Sequence, residues 1–217
     1  MSRTVRCLIA AGCFVSLAAV LPGTVQLVKS LFGGDITRMT VVFCAASLIG
    51  FVAFSTRPLQ FLHVFLHECG HAAMSMVCGH GVSEFFVSSS GNGHVRTSQS
   101  NILVSLAPYS MALAPMFLLI VANIVRPGAA LAFVGLSGFL FGDHLVSVLR
   151  DFRPHQPDIR RHGVMTSLSF VALLNVITVS LVLLLLDRAP VSDFAGFFAD
   201  AGRGVVEAGA TVWRILS

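Results

Sequence analysis

Charged side chains are scarce in this sequence, and their scarcity excludes an ordinary soluble domain. Asp, Glu, Lys and Arg make up 11% of the 217 residues, whereas hydrophobic residues make up 55%. A soluble domain of this size would be about a quarter charged. The composition therefore predicts an integral membrane protein.

Two other patterns are absent, and each absence argues against a class of function. The five cysteines are an odd number and include no C-x-x-C pair, which argues against a disulfide framework. The basic residues lie mostly between apolar runs, and no basic stripe with interleaved aromatic residues is present. We therefore expect contact with lipid headgroups and no binding of nucleic acid.

Long apolar runs dominate what is present. Six of them are long enough to cross a bilayer: residues 5–28, 39–55, 59–77, 102–125, 129–148 and 164–186. The sequence thus predicts an all-α polytopic membrane protein with about six transmembrane helices. Its orientation stays open, because the 14 basic residues divide seven to seven between the two sides of such a bundle.

Two elements lie outside the six runs. Residues 82–87 and 94–98 are β-prone and flank a turn cluster that ends in Asn92-Gly93, which predicts a short β-hairpin after the third helix. A disordered polar loop is the alternative for this segment. In residues 191–217, charges recur every seven residues opposite an apolar face, which predicts an amphipathic C-terminal helix. That helix would lie on the bilayer surface or pack against the bundle.

The string His67-Glu68-Cys69-Gly70-His71 reads H-E-x-x-H and lies within the third apolar run. Residues four apart share one helical face, so both imidazoles can bind one metal ion. Glu68 lies beside that face and can reach a water on the metal. A carboxylate inside a spanning helix costs about 3 kcal/mol to insert, which favours a functional role. The pattern predicts a zinc site with His67 and His71 as ligands and Glu68 as the catalytic base.

A catalytic zinc needs a third protein ligand. Of the ten acidic residues, only Glu68 and Asp143 fall within the apolar runs. The third and fifth predicted helices run in the same direction, so Asp143 reaches about the depth of the two histidines. Asp143 is the favoured third ligand, and His144, Asp151 and Asp158 remain alternatives.

An H-E-x-G-H motif in a spanning helix, followed by a β-prone loop and an intramembrane Asp two helices later, resembles the site-2 protease family of intramembrane zinc metalloproteases. The matching stretch runs from His67 to Ala72, with Gly79 at the end of the helix. The resemblance implies Zn²⁺ as cofactor, the two histidines as ligands, Glu68 as general base and acid, and Asp143 as the third ligand. Family members usually carry this Asp before Gly, whereas here it stands between Gly142 and His144.

The resemblance implies a zinc-dependent intramembrane endopeptidase that cleaves a membrane-embedded or membrane-proximal peptide segment. Residues 1–190 would form the transmembrane metalloprotease-like domain, and residues 191–217 the amphipathic helix. We expect a multi-pass protein of the cell (plasma) membrane of a bacterium, with a membrane protein or peptide as substrate.

Two alternatives stay open. The same residues could form the transit site of a membrane metal transporter, or the chain could be a non-catalytic partner of other membrane proteins. A transporter would usually show an internal repeat, and none is visible. A non-catalytic relative would usually have lost a motif residue, and all three are present.

Overall fold

The computed structural model describes residues 2–33, 37–56 and 59–216. Most of these residues are helical. The helices are α1 (Arg3–Gly33), α2 (Arg38–Phe54), α3 (Gln60–Val77), α4 (Ile102–Ser110), α5 (Leu113–Ile124), α6 (Pro127–Val146), α7 (Pro157–His162), α8 (Val164–Leu186) and α9 (Val191–Leu216). Strands β1 (Val82–Val87) and β2 (Gly93–Thr97) lie between α3 and α4. A π-helical turn, Ser147–Asp151, continues α6.

Three of the described helices are long and apolar enough to cross a membrane. They are α1, α6 together with its π-helical turn, and α8. The pair α4 and α5 would add a fourth if it forms one span with a bend of 67°. Helix α2 is shorter, with 17 residues, and α3 carries the polar motif. A mostly helical protein with membrane-length apolar helices is confirmed, whereas the predicted count of six spans is not.

Glycines bring α2 and α6 into close contact. A β-carbon at Gly138 would overlap the backbone carbonyl of Phe43, and one at Gly142 would overlap the backbone of Phe51. Small residues four apart let two helices approach closely where lipid removes the hydrophobic drive for association. The tightly packed α2–α6 pair therefore forms a rigid wall of the bundle. Its apolar side chains meet those of α5 and α8 in the main core cluster: Phe43, Leu119, Ala122, Val134, Val182 and Leu186.

The break between α4 and α5 is stabilised by polar side chains from α8. The Tyr109 carbonyl accepts a hydrogen bond from the Asn175 side-chain amide at 2.8 Å, and the Ser110 carbonyl accepts one from the Thr178 hydroxyl at 3.1 Å. A backbone that leaves the helical pattern in apolar surroundings needs such partners, because no water is available to it there. The bend is thus held in place, and it leaves space between α3 and α6.

The predicted hairpin is confirmed. Strands β1 and β2 pair antiparallel from Val82 opposite Thr97 to Val87 opposite Gly93, with a bulge between Val82 and Glu84. The connecting loop is residues 88–92, in which Gly91 has a left-handed φ of +80° that other residues rarely adopt. Asn92 ends this loop and Gly93 begins β2. The hairpin packs on α3, where the ring of Phe85 meets that of Phe65 edge-on at 5.8 Å.

The C-terminal helix is observed as α9 and packs along α1. The ring of Phe197 lies against Gly23, where a β-carbon would be 3.5 Å away. Contact with the bundle, one of the two arrangements expected for this segment, is therefore present. Ser217, the last residue of the predicted segment, lies outside the described residues. The division into residues 1–190 and 191–217 stays a prediction.

Candidate metal centre

Helix α3 presents the two motif histidines one turn apart. The ring centroids of His67 and His71 are 5.0 Å apart, and the rings are steeply inclined to each other, at 78°. Nδ1 of His71 lies 2.8 Å from the carbonyl oxygen of Val104 in α4. A carbonyl only accepts, so Nδ1 carries the proton and donates it. Nε2 is left with its lone pair, which is how a metal-binding histidine is usually oriented.

The carboxylate nearest this free nitrogen belongs to Asp158. Its Oδ2 lies 3.7 Å from Nε2 of His71. Potential ligand atoms of His67, His71 and Asp158 all lie within 4.8 Å of one another, and no other such group of three occurs among the described residues. Two imidazole nitrogens and one carboxylate oxygen are a donor set that catalytic zinc takes. The residues present therefore fit a zinc ion.

The local sequence explains how Asp158 reaches this position. Pro157 is the first residue of the short helix α7, and Asp158 follows in the first turn. Proline suits that position, and a carboxylate is favoured near a helix N-terminus. Burial raises the pKa of the Asp158 carboxyl, while His71 and Arg161 act in the opposite direction. A cation bound at this carboxylate would offset the cost of burying it.

Asp143 is held by a different histidine. Its Oδ1 lies 2.5 Å from Nδ1 of His63, and the other ring nitrogen of His63 lies 2.8 Å from Oδ2 of Asp151. His63 and Asp143 are both buried. Asp151 is also bound by the Arg150 guanidinium, whose Nε is 2.7 Å from Oδ1. We refer to Arg150, Asp151, His63 and Asp143 as the His63 network.

The structure thus sorts the four candidates for the third ligand. Asp143 and Asp151 lie in the His63 network and do not belong to the group of three donors. His144 directs Nε2 to the side-chain oxygen of Asn175 at 2.8 Å. Asp158 is the candidate that lies with the motif histidines. Its position outside the apolar runs made it a lesser alternative in the sequence, although Pro157 followed by an acid indicated a helix start there.

Glu68 is buried beside the histidines, and the hairpin covers it. A β-carbon at Gly93 would lie 2.8 Å from Cγ of Glu68 and 2.7 Å from Cγ1 of Val64. Only glycine at the start of β2 therefore allows the strand to come this close to α3. The close contact restricts where the Glu68 side chain can point.

Two cavities meet at His67. The first, which we call the polar cleft, has a volume of about 1160 Å³ and contains both motif histidines, Glu68 and Asp158. Every residue of β2 lines it, as does Tyr109, whose ring packs edge-on against that of His67 at 5.2 Å. The second, which we call the apolar pocket, has a volume of about 290 Å³ and lies between α3, α6 and the α4–α5 break. His67 lines both cavities.

A protein-family model matches a large part of the chain. The model described as Peptidase M50B-like matches residues 39–186, which is more than half of the chain. The chain belongs to the Peptidase M50B-like family. The match runs from the start of α2 to the end of α8 and includes every residue of the candidate site. No curated protein and no solved structure gives a match.

Membership of the M50B-like family confirms the resemblance to the site-2 proteases that the H-E-x-G-H motif indicated. The family implies a protease, and its members are typically metalloproteases. Together with the three apolar helices, membership indicates a membrane protein.

Sequence reasoning missed one residue of this M50B-like site. Tyr109 is the only tyrosine in the chain and lines the polar cleft beside His67. In the sequence it lies within an apolar run, where an aromatic residue indicates no more than packing. No pattern in that run distinguishes it, because the contact with His67 arises only when α3 packs against α4.

Proposed function

We propose that this M50B-like protein is a zinc-dependent intramembrane endopeptidase that cleaves a membrane-embedded or membrane-proximal peptide segment. One observation carries the proposal: His67, His71 and Asp158 converge within one cleft, with Glu68 beside them. Membership of a protease family supports hydrolysis of a peptide bond as the reaction.

In this proposal His67 and His71 each provide one ring nitrogen to zinc, and Asp158 provides a carboxylate oxygen. Asp158 thus takes the role that the sequence analysis gave to Asp143, because Asp143 is bound to His63. When bound, zinc would supply a Lewis acid that lowers the pKa of water toward neutrality and polarises a peptide carbonyl. The Nδ1–H bond from His71 to Val104 keeps the ligand nitrogen of that histidine aimed at the site.

Glu68 serves as general base and then as general acid. Its carboxylate accepts a proton from the water that attacks the scissile carbonyl, and it returns this proton to the nitrogen of the leaving amine. Burial and the contact with Gly93 hold the side chain beside the two ligands. Such positioning contributes to the rate because the group does not have to be ordered during the reaction.

The substrate is bound in an extended form, since a helical peptide hides its carbonyls. Among the described residues, β2 pairs only with β1, so its other edge has no partner strand. Residues 93–98 of this segment all line the polar cleft. A peptide that adds to β2 as a third strand would therefore run along the cleft past Glu68. The cleft also provides the route for water, which the bilayer cannot supply.

The proposal includes the membrane in which the protein lies, its partner and its division into domains. We place the protein as a multi-pass protein in the plasma membrane of a bacterium, with a membrane protein or peptide as its partner. Residues 1–190 would form the catalytic domain and residues 191–217 an attached helix. The close contact of α9 with α1 supports a tail that stays on the bundle.

The test uses the full chain purified in detergent without chelator. We expect close to one zinc per chain and cleavage of synthetic single-span peptides that carry a central Gly/Pro segment. Glu68→Gln should keep the zinc and lose roughly 10²- to 10⁴-fold in cleavage rate, which is the range of general acid–base catalysis. Absence of zinc from the wild type, or full cleavage by Glu68→Gln, would contradict the proposal.

A further inference from the structure

The apolar pocket has a second feature besides its contact with His67: small residues form part of its wall. From α3 it is lined by residues on one helical face, at spacings of three and four: Leu66, Cys69, Gly70 and Ala73. The α4–α5 break contributes Ala112 and Ala114. In membrane proteins small residues normally let helices approach until no space remains. Here they border about 290 Å³ of space instead.

The pocket is half open rather than enclosed, so a guest can enter it. Ligand sites in proteins are typically concave and mostly apolar, with few polar groups. An accessible apolar space that directly adjoins the catalytic motif therefore indicates a binding site.

Two of the polar side chains at the pocket wall are already engaged by neighbours, and most of the lining is apolar. Asp143 is bound by His63, and His144 is bound to Asn175. A charged guest would lose its hydration without gaining a partner. A volume of about 290 Å³ has room for one large apolar side chain.

His67 links this pocket to the polar cleft because it lines both. A peptide that lies along the cleft, with its scissile carbonyl beside His67, has a neighbouring side chain within reach of the pocket. We propose that the apolar pocket binds the side chain of a leucine, methionine or phenylalanine next to the scissile bond of the substrate. This inference rests on the proposed peptidase function and names the sequence preference of that activity.

The first test is cleavage of synthetic single-span peptides that differ at one position of the Gly/Pro segment. The wild type should cleave the leucine and phenylalanine peptides about tenfold faster than the alanine peptide, because apolar pockets discriminate by this order per methylene removed. Ala73→Leu and Ala114→Leu fill the pocket from two sides. Either should remove the preference, so that the leucine and phenylalanine peptides are cleaved no faster than the alanine peptide, while the zinc content stays that of the wild type.

Ala129→Leu is the matched control, because Ala129 is exposed in the first turn of α6 and lies outside the pocket lining. It should leave the preference as in the wild type. If both pocket-filling variants raise the thermal midpoint and keep the leucine preference, the space is only a packing void and the inference is overturned.

A second test measures binding without cleavage. The variant carries Glu68→Gln, so that it does not cleave the peptide, and retains Cys69 as its sole cysteine. The rate at which N-ethylmaleimide alkylates Cys69 is measured with and without peptide. The leucine peptide should slow this reaction at least about tenfold. A peptide with aspartate at the same position should not slow it, because burial of a charge in the pocket is unfavourable. A second variant that keeps only Cys78, at the end of α3 and outside the pocket lining, is the matched control, and its cysteine should react at the same rate with either peptide.

The two tests separate the inference from the function on which it rests. If the leucine peptide protects Cys69 but the wild type cleaves no peptide, the pocket binds an apolar side chain and the proposed peptidase function is wrong. If the wild type cleaves the peptides without preference for an apolar residue and the leucine peptide does not protect Cys69, the peptidase function stands and the proposed role of the pocket is wrong.

Discussion

The carboxylate of Asp158 lies 3.7 Å from Nε2 of His71. The two residues come from elements far apart in the chain, the motif helix α3 and the short helix α7. The other nitrogen of His71 is bound by the Val104 carbonyl of α4, so three elements together orient this pair. The arrangement supports the proposed ligand set, which differs from the one that the apolar runs favoured.

Zinc content distinguishes Asp158 from Asp143 as the third ligand. We expect Asp158→Ala to lose zinc, because only two nitrogen ligands remain and a catalytic site needs three protein ligands. Asp143→Asn should retain about one zinc per chain. The measurement is elemental analysis of each purified variant after dialysis against metal-free buffer. Loss of zinc in Asp143→Asn with retention in Asp158→Ala would restore Asp143 as the third ligand.

Asp158→His is the conservative counterpart of this change. Sets of three histidines also hold catalytic zinc, so this variant should retain the metal if position 158 lies in the first coordination sphere. If neither Asp158→Ala nor Asp158→His changes the affinity for zinc in a competition assay, Asp158 is not a ligand.

The His63 network should contribute strongly to stability. His63→Ala leaves the buried carboxylate of Asp143 without its partner, and the loss of one partner from a buried pair costs about 3–5 kcal/mol. The free energy of unfolding can be measured by titration with SDS in mixed micelles. His94→Ala removes an exposed histidine of the hairpin and should change this free energy little. Equal stability of the two variants would argue that the network is not an energetic link between α3 and α6.

Gly93→Ala should lower activity without loss of the metal. The added β-carbon would lie 2.8 Å from Cγ of Glu68, so either the strand or the catalytic side chain must move. Displacement of a catalytic group by about 1 Å can cost on the order of 10²-fold in rate. We expect kcat to fall at least about tenfold at unchanged zinc content.

The hairpin provides its own control for this change. At Gly81 a β-carbon would approach nothing closer than the Ser98 hydroxyl oxygen at 3.9 Å. Gly81→Ala should therefore keep the wild-type rate. A Gly93→Ala enzyme as active as Gly81→Ala would show that the strand does not constrain Glu68.

The glycines of α6 should be essential for its packing on α2. Gly138→Ala and Gly142→Ala would each insert a β-carbon into backbone of α2, and overpacking of this kind costs about 1–3 kcal/mol. Gly135→Ala is the matched control, since its β-carbon would meet only a Val42 methyl group at 3.5 Å. The thermal midpoint in detergent should fall for the first two variants and stay constant for the third.

Much of the local structure follows from local pattern. Apolar runs of membrane length became helices because a backbone in lipid must satisfy its hydrogen bonds within its own segment. The hairpin followed from β-prone flanks around a turn cluster, and both motif histidines face the same cleft because they are four residues apart on one helix. Within the run 102–125, Pro108 and Pro115 predict a kink or a helix end. The position of the break, at Met111 and Ala112, depends on hydrogen-bond donors in α8 that are distant in sequence.

The proposed third ligand, Asp158, is a residue that the sequence pattern alone did not favour. Comparison of helix depth favoured Asp143, because depth along the membrane normal can be counted from the sequence at about 1.5 Å per residue. Depth says nothing about rotation around the helix axis or about which helices touch. In the folded chain α6 packs on α2 and directs Asp143 to His63, while α7 brings Asp158 to His71.

The amino-acid sequence was therefore sufficient for the membrane class, most of the long helices, the hairpin and the two histidines on one helical face, since each depends on neighbours within a few residues. The proposal of Asp158 as third ligand, the apolar pocket beside His67 and the cover that Gly93 places over Glu68 required the tertiary structure. They arise from contacts between segments far apart in the chain, and such contacts are set by helix rotation and close packing, which no local pattern encodes.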